Sequence, residues 1–333
     1  MSVGPAERAP RRCEPMTGYI VRRVLWLIPV LWAVATITFI LMHAVPGGPF
    51  TQEKPLPQSI INALNARYNL NESLWKQYVL YLWNILHFDF GLSFRGDRDV
   101  AELIRAGFFV TVQLGVLGFL VAAVLGLLLG VLSALNQNGP LDYIGVFFAT
   151  VGASLPNFVL AAFLIIIFAV KLGWFDVLGW GGPTQIGDAL DPGAWDLKKM
   201  VLPVIAVGAL PAAYIARVTR ASMLEVLSQD YIRTAHAKGL ANYVVILRHA
   251  IKNAMIPVLT IMGPIAAVLV TGSFIIETTF AIPGVGRAFV DAVLRRDYAM
   301  IMGSTLFYTA IVAFANLAVD LLYAVVDPRI RYR

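Results

Sequence analysis

The 333-residue chain is 59% hydrophobic and only 14% charged, with a mean hydropathy of +0.73. A soluble domain carries about 25% charged residues, so the apolar excess here must face lipid. The net charge of +6 does not mark a nucleic-acid binder, because the cations flank apolar runs instead of forming one stripe. A single cysteine, Cys13, excludes an intrachain disulfide framework and any CxxC metal or redox site.

The chain opens with a Pro- and Arg-rich stretch, residues 1–15, and Met16 begins a more ordinary start. Residues 1–18 therefore read as a disordered cytosolic extension. The first apolar run, residues 24–45, exceeds the ~7–15-residue core of a signal peptide, and no A-x-A-like site follows it. It predicts a retained membrane helix over residues 19–45. An outer segment, residues 46–106, comes next.

A helix needs about 20 apolar residues to cross the hydrocarbon core. Residues 107–135, 143–170, 200–216, 254–276 and 299–326 meet or approach that length, giving an all-α protein of six transmembrane helices, five of them within residues 107–326. The run at 200–216 is short and holds Pro203, Gly208 and Pro211, but Lys199 and Arg217 bracket it and can snorkel to the headgroups. Pro156 and Pro264 predict kinks in mid-span. Gly126 and Gly130 form a small-xxx-small pattern, suited to close packing within the chain or against another helix.

Orientation follows from the cations. With both termini in the cytosol, fourteen of the 26 Lys and Arg lie on that side, and six of the other twelve sit in the long segment 44–106, where the positive-inside rule weakens. The cytosolic tail is residues 327–333.

Catalytic signatures are absent: the sequence contains no HExxH, GxSxG or G-x-x-x-x-G-K-[ST] phosphate loop. His43, His87, His236 and His249 are scattered, so no metal site is expected. Among acids, Asp320 lies within the last run, where it is expected to pair with a nearby cation or backbone donor. Glu277 ends the fifth, where it is expected at the water boundary. A proton-driven transporter would show more such residues, which weighs against a secondary transporter or channel acting alone.

The most informative connection is the cytosolic loop of residues 217–253. Leu224, Leu227, Tyr231 and Ala235 recur near helical spacing, Lys238 falls in the last turn, and Gly239 is placed as a left-handed C-cap. Asn242 is then a candidate N-cap of a second helix. Val226, Leu227, Ile232, Leu240, Val244, Val245, Ile246 and Leu247 make the loop too apolar to stand bare. It has no Trp or Phe to anchor it in headgroups, so a protein partner is the expected cover.

The run Asp230-Tyr-Ile-Arg-Thr-Ala-His-Ala-Lys-Gly-Leu240, followed by Leu247-Arg-His-Ala-Ile-Lys-Asn-Ala-Met-Ile-Pro-Val258, resembles the coupling loop of bacterial ABC importer permeases of the peptide type. The general pattern E-A-A-x-x-x-G aligns on Gly239 with Arg233-Thr234-Ala235 in its first three places, so the acid is missing here. Ile20-Val-Arg-Arg23, Pro46-Gly-Gly-Pro-Phe50, Asp89-Phe-Gly-Leu-Ser93, Thr271-Gly-Ser-Phe-Ile-Ile-Glu277, Ile282-Pro-Gly-Val-Gly286, Arg296-Asp-Tyr298 and Asp327-Pro-Arg-Ile-Arg331 resemble the B-type permease subunit of oligopeptide and dipeptide importers, in order and spacing from Tyr19 onward.

The resemblance implies the type I importer permease fold in the bacterial inner membrane. It also implies a second, C-type permease subunit, two cytosolic ATPases that carry ATP and Mg, and an extracytoplasmic peptide-binding protein. The chain itself is expected to bind no cofactor. Tyr231, Ile232, Arg233, Ala235, Lys238 and Gly239 would dock the ATPase; Glu277, Pro283, Gly284 and Gly286 would lie by the outer mouth. Ile282-Pro-Gly-Val-Gly286 reads by itself as a turn. The expected cargo is oligopeptides, with dipeptides, nickel complexes and glutathione as alternatives within the family.

Overall fold

The structure, a computed structural model, describes residues 16–45, 58–94, 98–189 and 191–326. The expected extension up to residue 15, the Pro46-Gly-Gly-Pro-Phe50 element, the tail and the side chain of Asp320 lie outside what is described.

Helix α1 (Met16–Ala44) starts three residues before the expected boundary. Two helices that periodicity did not reveal follow in the outer segment, α2 (Gln58–Arg67) and α3 (Leu74–Leu86). Helix α4 (Val100–Leu135) is capped by Asp99, whose carboxylate accepts from the Ala101 amide at 2.8 Å. Its 36 residues measure about 54 Å, well beyond the ~30 Å hydrocarbon core, so its ends project from the bilayer.

The third apolar run is broken. Helix α5 (Pro140–Ser154) and α6 (Asn157–Leu164), the latter continued by a π-helical turn Ile165–Lys171, meet at an angle of 111° across Leu155 and Pro156. Neither arm is long enough to cross alone, so among the described residues five helices are long and apolar enough to span unaided and this pair makes a sixth only as one bent unit. The kink expected at Pro156 is thus a sharp break, whereas the helix at Pro264 continues without interruption.

The run that looked shortest in sequence becomes one of the longest helices. Helix α7 (Leu197–Leu227) is capped by Asp196, passes through Pro203 and Pro211, and contributes Leu202, Ala206, Val207, Ile215 and Met223 to the core. Charged residues in its last turns had hidden its true length. Helix α8 (Asp230–Ala237) follows, then α9 (Asn242–Val244), a π-helical turn Val245–Ile251 and α10 (Lys252–Thr271) in near-continuous succession. Helices α11 (Phe274–Thr279), α12 (Val285–Arg295) and α13 (Tyr298–Val326) complete the described residues.

Helices α4 and α7 run parallel at the centre. Gly118 lies against Val207 and Gly208, Gly126 against Ala212 and Ile215, and Gly130 against Ala216 and Thr219. With buried Ala122 these form a stripe of small residues at every fourth position of α4, so ridges of one helix enter grooves of the other. The Gly126 and Gly130 pattern is therefore spent on packing inside the chain. Helix α10 runs antiparallel to both, and at Gly115 an added Cβ would sit 2.2 Å from the Leu269 carbonyl oxygen.

Candidate functional site

At one end of the bundle the chain leaves α7 at Leu227, turns at Ser228 and Gln229, and enters α8. The helix closes as expected: the Lys238 amide donates to the Thr234 carbonyl at 3.0 Å, the Gly239 amide to that of His236 at 2.9 Å, and Gly239 has φ +80°. The second helix is capped differently, because Ala241 takes the N-cap position and Asn242 is already helical. The Asn242 side chain instead meets His236 across the turn, Nε2 to Oδ1 at 3.3 Å.

The six residues expected to dock a partner divide between two faces. Ile232 (3% exposed) and Ala235 (8%) point inward and pack with Ala134, Met223, Val245, Ala250 and Ala254. They hold α8 on the bundle and are not available to a partner. Tyr231, Arg233, Lys238 and Gly239 are exposed. Arg233 forms only a solvent-exposed ion pair with Asp230 on its own helix, at 3.5 Å, and Asn253 donates to the Tyr231 hydroxyl at 3.0 Å.

The apolar loop residues are therefore partly covered by the chain itself: Val245 is fully buried and Val226 and Leu227 pack against the same cluster. Leu240 and Leu247 stay exposed. So does Tyr243, at 70%, an aromatic ring beside them.

Directly beneath this end, three helices are clamped by one cationic side chain. Arg220 of α7 donates from Nε and Nη2 to the two oxygens of Asp142 at 2.6 and 2.7 Å, and Ser133 of α4 hydrogen-bonds the same carboxylate. Nothing in the spacing of Ser133, Asp142 and Arg220 pointed to this; an acid two residues after Pro140 reads as an ordinary first-turn residue.

At the other end, about 35 Å away along α4 at 1.5 Å per residue from Ala134 to Thr111, sits Glu277. It is not at a water boundary but fully buried. Thr111 donates to its Oε1 at 3.1 Å and the Arg287 amide to Oε2 at 3.1 Å. The Val285 amide in turn donates to the Thr111 hydroxyl at 3.1 Å. The carboxylate thus sits at the N-terminus of α12, where free amides and the helix dipole favour a negative group.

The turn Ile282-Pro-Gly-Val-Gly286 wraps over this carboxylate. Its two glycines are required by close approach, since an added Cβ would lie 2.3 Å from Glu277 Oε2 at Gly284 and 2.8 Å from it at Gly286. Pro283 alone of the expected outer residues is exposed. A second knot lies beside it: Ser93 donates to buried Asp297 Oδ2 at 2.5 Å, and Asp297 caps α13 by accepting from the Met300 amide at 3.2 Å.

A core of long apolar helices, with a short helix at one end and a loop tied to a buried acid at the other, is the architecture of a multi-pass membrane protein. The family model described as "Binding-protein-dependent transport system inner membrane component" matches residues 126–332. The chain is 43% identical over 317 residues to the dipeptide transport system permease protein DppB of Bacillus subtilis, covering 95% of this chain and 98% of that one. It is 42% identical over 318 residues to the oligopeptide transport system permease protein OppB of Haemophilus influenzae and 43% identical to that of Escherichia coli, in each case over 95% of this chain and all of the relative.

Two solved structures share the fold. The MetNI methionine ABC transporter in an inward-facing conformation matches with a TM-score of 0.51 at 17% identity, over 68% of this chain and 96% of that one. An amino acid ABC transporter with histidines matches at 0.50 and 16%, over 66% and 92%. The chain belongs to the family of binding-protein-dependent transport system inner membrane components, and it is a multi-pass inner-membrane protein.

Proposed function

We propose that this chain forms half of the pathway through which an ATP-driven importer carries oligopeptides across the bacterial inner membrane. The observation that carries the reading is α8: a short helix held against the end of the bundle by Ile232 and Ala235, with Tyr231, Arg233 and Lys238 turned to solvent. The oligopeptide and dipeptide permeases to which the chain is similar support peptides as cargo. The exposed face of α8 docks one of two cytosolic ATPases, which hold ATP and Mg. A second, C-type permease completes the pathway, and an extracytoplasmic binding protein delivers peptide to the opposite end. Both termini and α8 lie in the cytosol, in keeping with the cation distribution.

Closure of the ATPases displaces α8, and the buried contacts of Ile232 and Ala235 pass that displacement to the end of α7 and the start of α10. Because α7 is one helix through both prolines and is locked along α4 by the glycine stripe, the pair moves as a rod. Its far end carries Thr111 and the loop tied to Glu277. A movement begun at α8 therefore reaches Pro283 and Gly284 without an intervening hinge.

Reconstitution tests this. The chain with its C-type partner and ATPases in liposomes is expected to hydrolyse ATP faster when peptide-loaded binding protein is present, and a cysteine at Lys238 is expected to crosslink to an ATPase. Peptide transport by the lone chain driven by a proton gradient, or no Lys238 crosslink in a complex that is active, would overturn the reading.

A further inference from the structure

A groove of about 990 Å³ opens between α1, α3, α4 and α13, separate from α8 and from the Glu277 loop. Its walls include Leu31 and Trp32 of α1, Leu82 and Ile85 of α3, Phe108 of α4 and Phe307 of α13. One charged side chain, Arg105, is among the lining residues. Glu102, one turn earlier on α4, is turned to Arg98 at 3.7 Å, and no ion pair joins the Arg105 guanidinium to a described acid.

The groove has the depth of a single leaflet. On α4 its lining runs from Ala101 to Val112, and the part below Arg105 covers about 10 Å at 1.5 Å per residue, within the ~15 Å half-thickness of the hydrocarbon core. Its α3 wall goes no deeper. Helix α3 descends along α1, with Gln77 bonded to His43 and Tyr78 to Thr36, and ends at Leu86. The chain then reverses at Phe88 (φ +57°), which is almost wholly exposed, and returns to the start of α4. A spanning helix of a partner needs a wall along the whole bilayer, whereas a lipid of one leaflet needs only half.

The geometry points to a binding site for one anionic phospholipid, with its acyl chains among Leu31, Trp32, Phe108 and Phe307 and its phosphate at Arg105. Arg105 precedes the continuous apolar run of α4, which places it at headgroup depth. An unpaired guanidinium there favours an anionic headgroup over a zwitterionic one. The lipid would brace α3 and α1 against α4 and α13, filling space that protein leaves open.

The test uses the permease pair in mixed vesicles of dioleoyl-phosphatidylglycerol and dioleoyl-phosphatidylcholine, extracted gently and weighed by native mass spectrometry. The expected result is retained phosphatidylglycerol, preferred about fivefold, which is the scale of one Arg near an anionic surface. Arg105→Gln is expected to equalise the two lipids, and Ala310→Trp, which fills the groove, to remove both. A photo-activatable benzophenone residue at Phe109 gives an independent readout that requires no loss of fold. A crosslink to lipid supports the site; a crosslink to another polypeptide, or phosphatidylglycerol retention unchanged in both variants, overturns it.

Discussion

Arg220 of α7 grips Asp142 at the start of α5 with two parallel hydrogen bonds, Nε to Oδ1 at 2.6 Å and Nη2 to Oδ2 at 2.7 Å. The carboxylate is nearly buried and the guanidinium about a quarter exposed. Such a fork is the geometry in which Arg cannot be replaced by Lys. Arg220→Ala is expected to cost about 2 kcal/mol, and Arg220→Lys to recover only part of it, because one ammonium cannot meet both oxygens. The melting midpoint of the purified permease pair measures this. The double variant with Asp142→Ala should lose less than the sum of the single losses, since each single change strands a partner.

Glu277→Gln keeps the shape of the knot around Thr111 and Arg287 and removes its charge. The amide has one acceptor where the carboxylate has two; with that oxygen kept on the Arg287 amide, its NH2 meets the Thr111 hydroxyl, which must turn from donor to acceptor. Hydrogen exchange at the Gly286 and Arg287 amides should quicken, and peptide uptake should fall about tenfold, the consequence of losing a charge-assisted bond of roughly 1.5 kcal/mol. Assembly with the ATPases, measured by co-purification, should be unchanged because α8 is at the other end.

Gly284→Ala tests close approach at the same knot. The new methyl group would start 2.3 Å from Glu277 Oε2 and 2.6 Å from Thr111 Oγ1, so the turn must lift off the carboxylate. The expected outcome matches Glu277→Gln in direction, with faster exchange at Gly286 and lower uptake. Because φ at Gly284 is −92°, any effect is steric and not conformational.

Gly239 makes the opposite case. Nothing lies within 4 Å of the position its Cβ would take, yet φ is +80°. Substitutions should therefore rank by tolerance of the left-handed region and not by size. Asn should be nearly silent, Ala should cost about 1 kcal/mol, and Val should cost more because it is β-branched. Peptide-stimulated ATP hydrolysis of the reconstituted complex reads the series. A Val variant as active as wild type would count against α8 as the docking element.

Much of this was legible because it is local. Long apolar runs mark spans through composition alone, and Gly239 announces the end of α8 because few other residues adopt its φ. What escaped the sequence had non-local causes. Helix α7 looked too short because its last turns, from Arg217 to Leu227, carry charge, and only Asp142 and the cluster around Met223 show that these turns are packed inside. Helices α2 and α3 lay hidden in a segment read only as a long outer connection, without periodicity long enough to stand out. Ile232 and Ala235 read as partner contacts because helical spacing alone does not say which face of α8 the bundle covers.

By itself the sequence determined that the chain crosses a membrane and which short motifs set it among peptide-type permeases. Only the tertiary structure decided what those motifs do. Asp89-Phe-Gly-Leu-Ser93 meets Arg296-Asp-Tyr298 through a hydrogen bond from Ser93 to Asp297, and Thr271-Gly-Ser-Phe-Ile-Ile-Glu277 closes on Ile282-Pro-Gly-Val-Gly286 through a buried carboxylate. The physical reason is that a buried polar group must find its partner wherever the fold brings one. For Ser93 that partner is 204 positions away, a distance over which neither periodicity nor local propensity carries information.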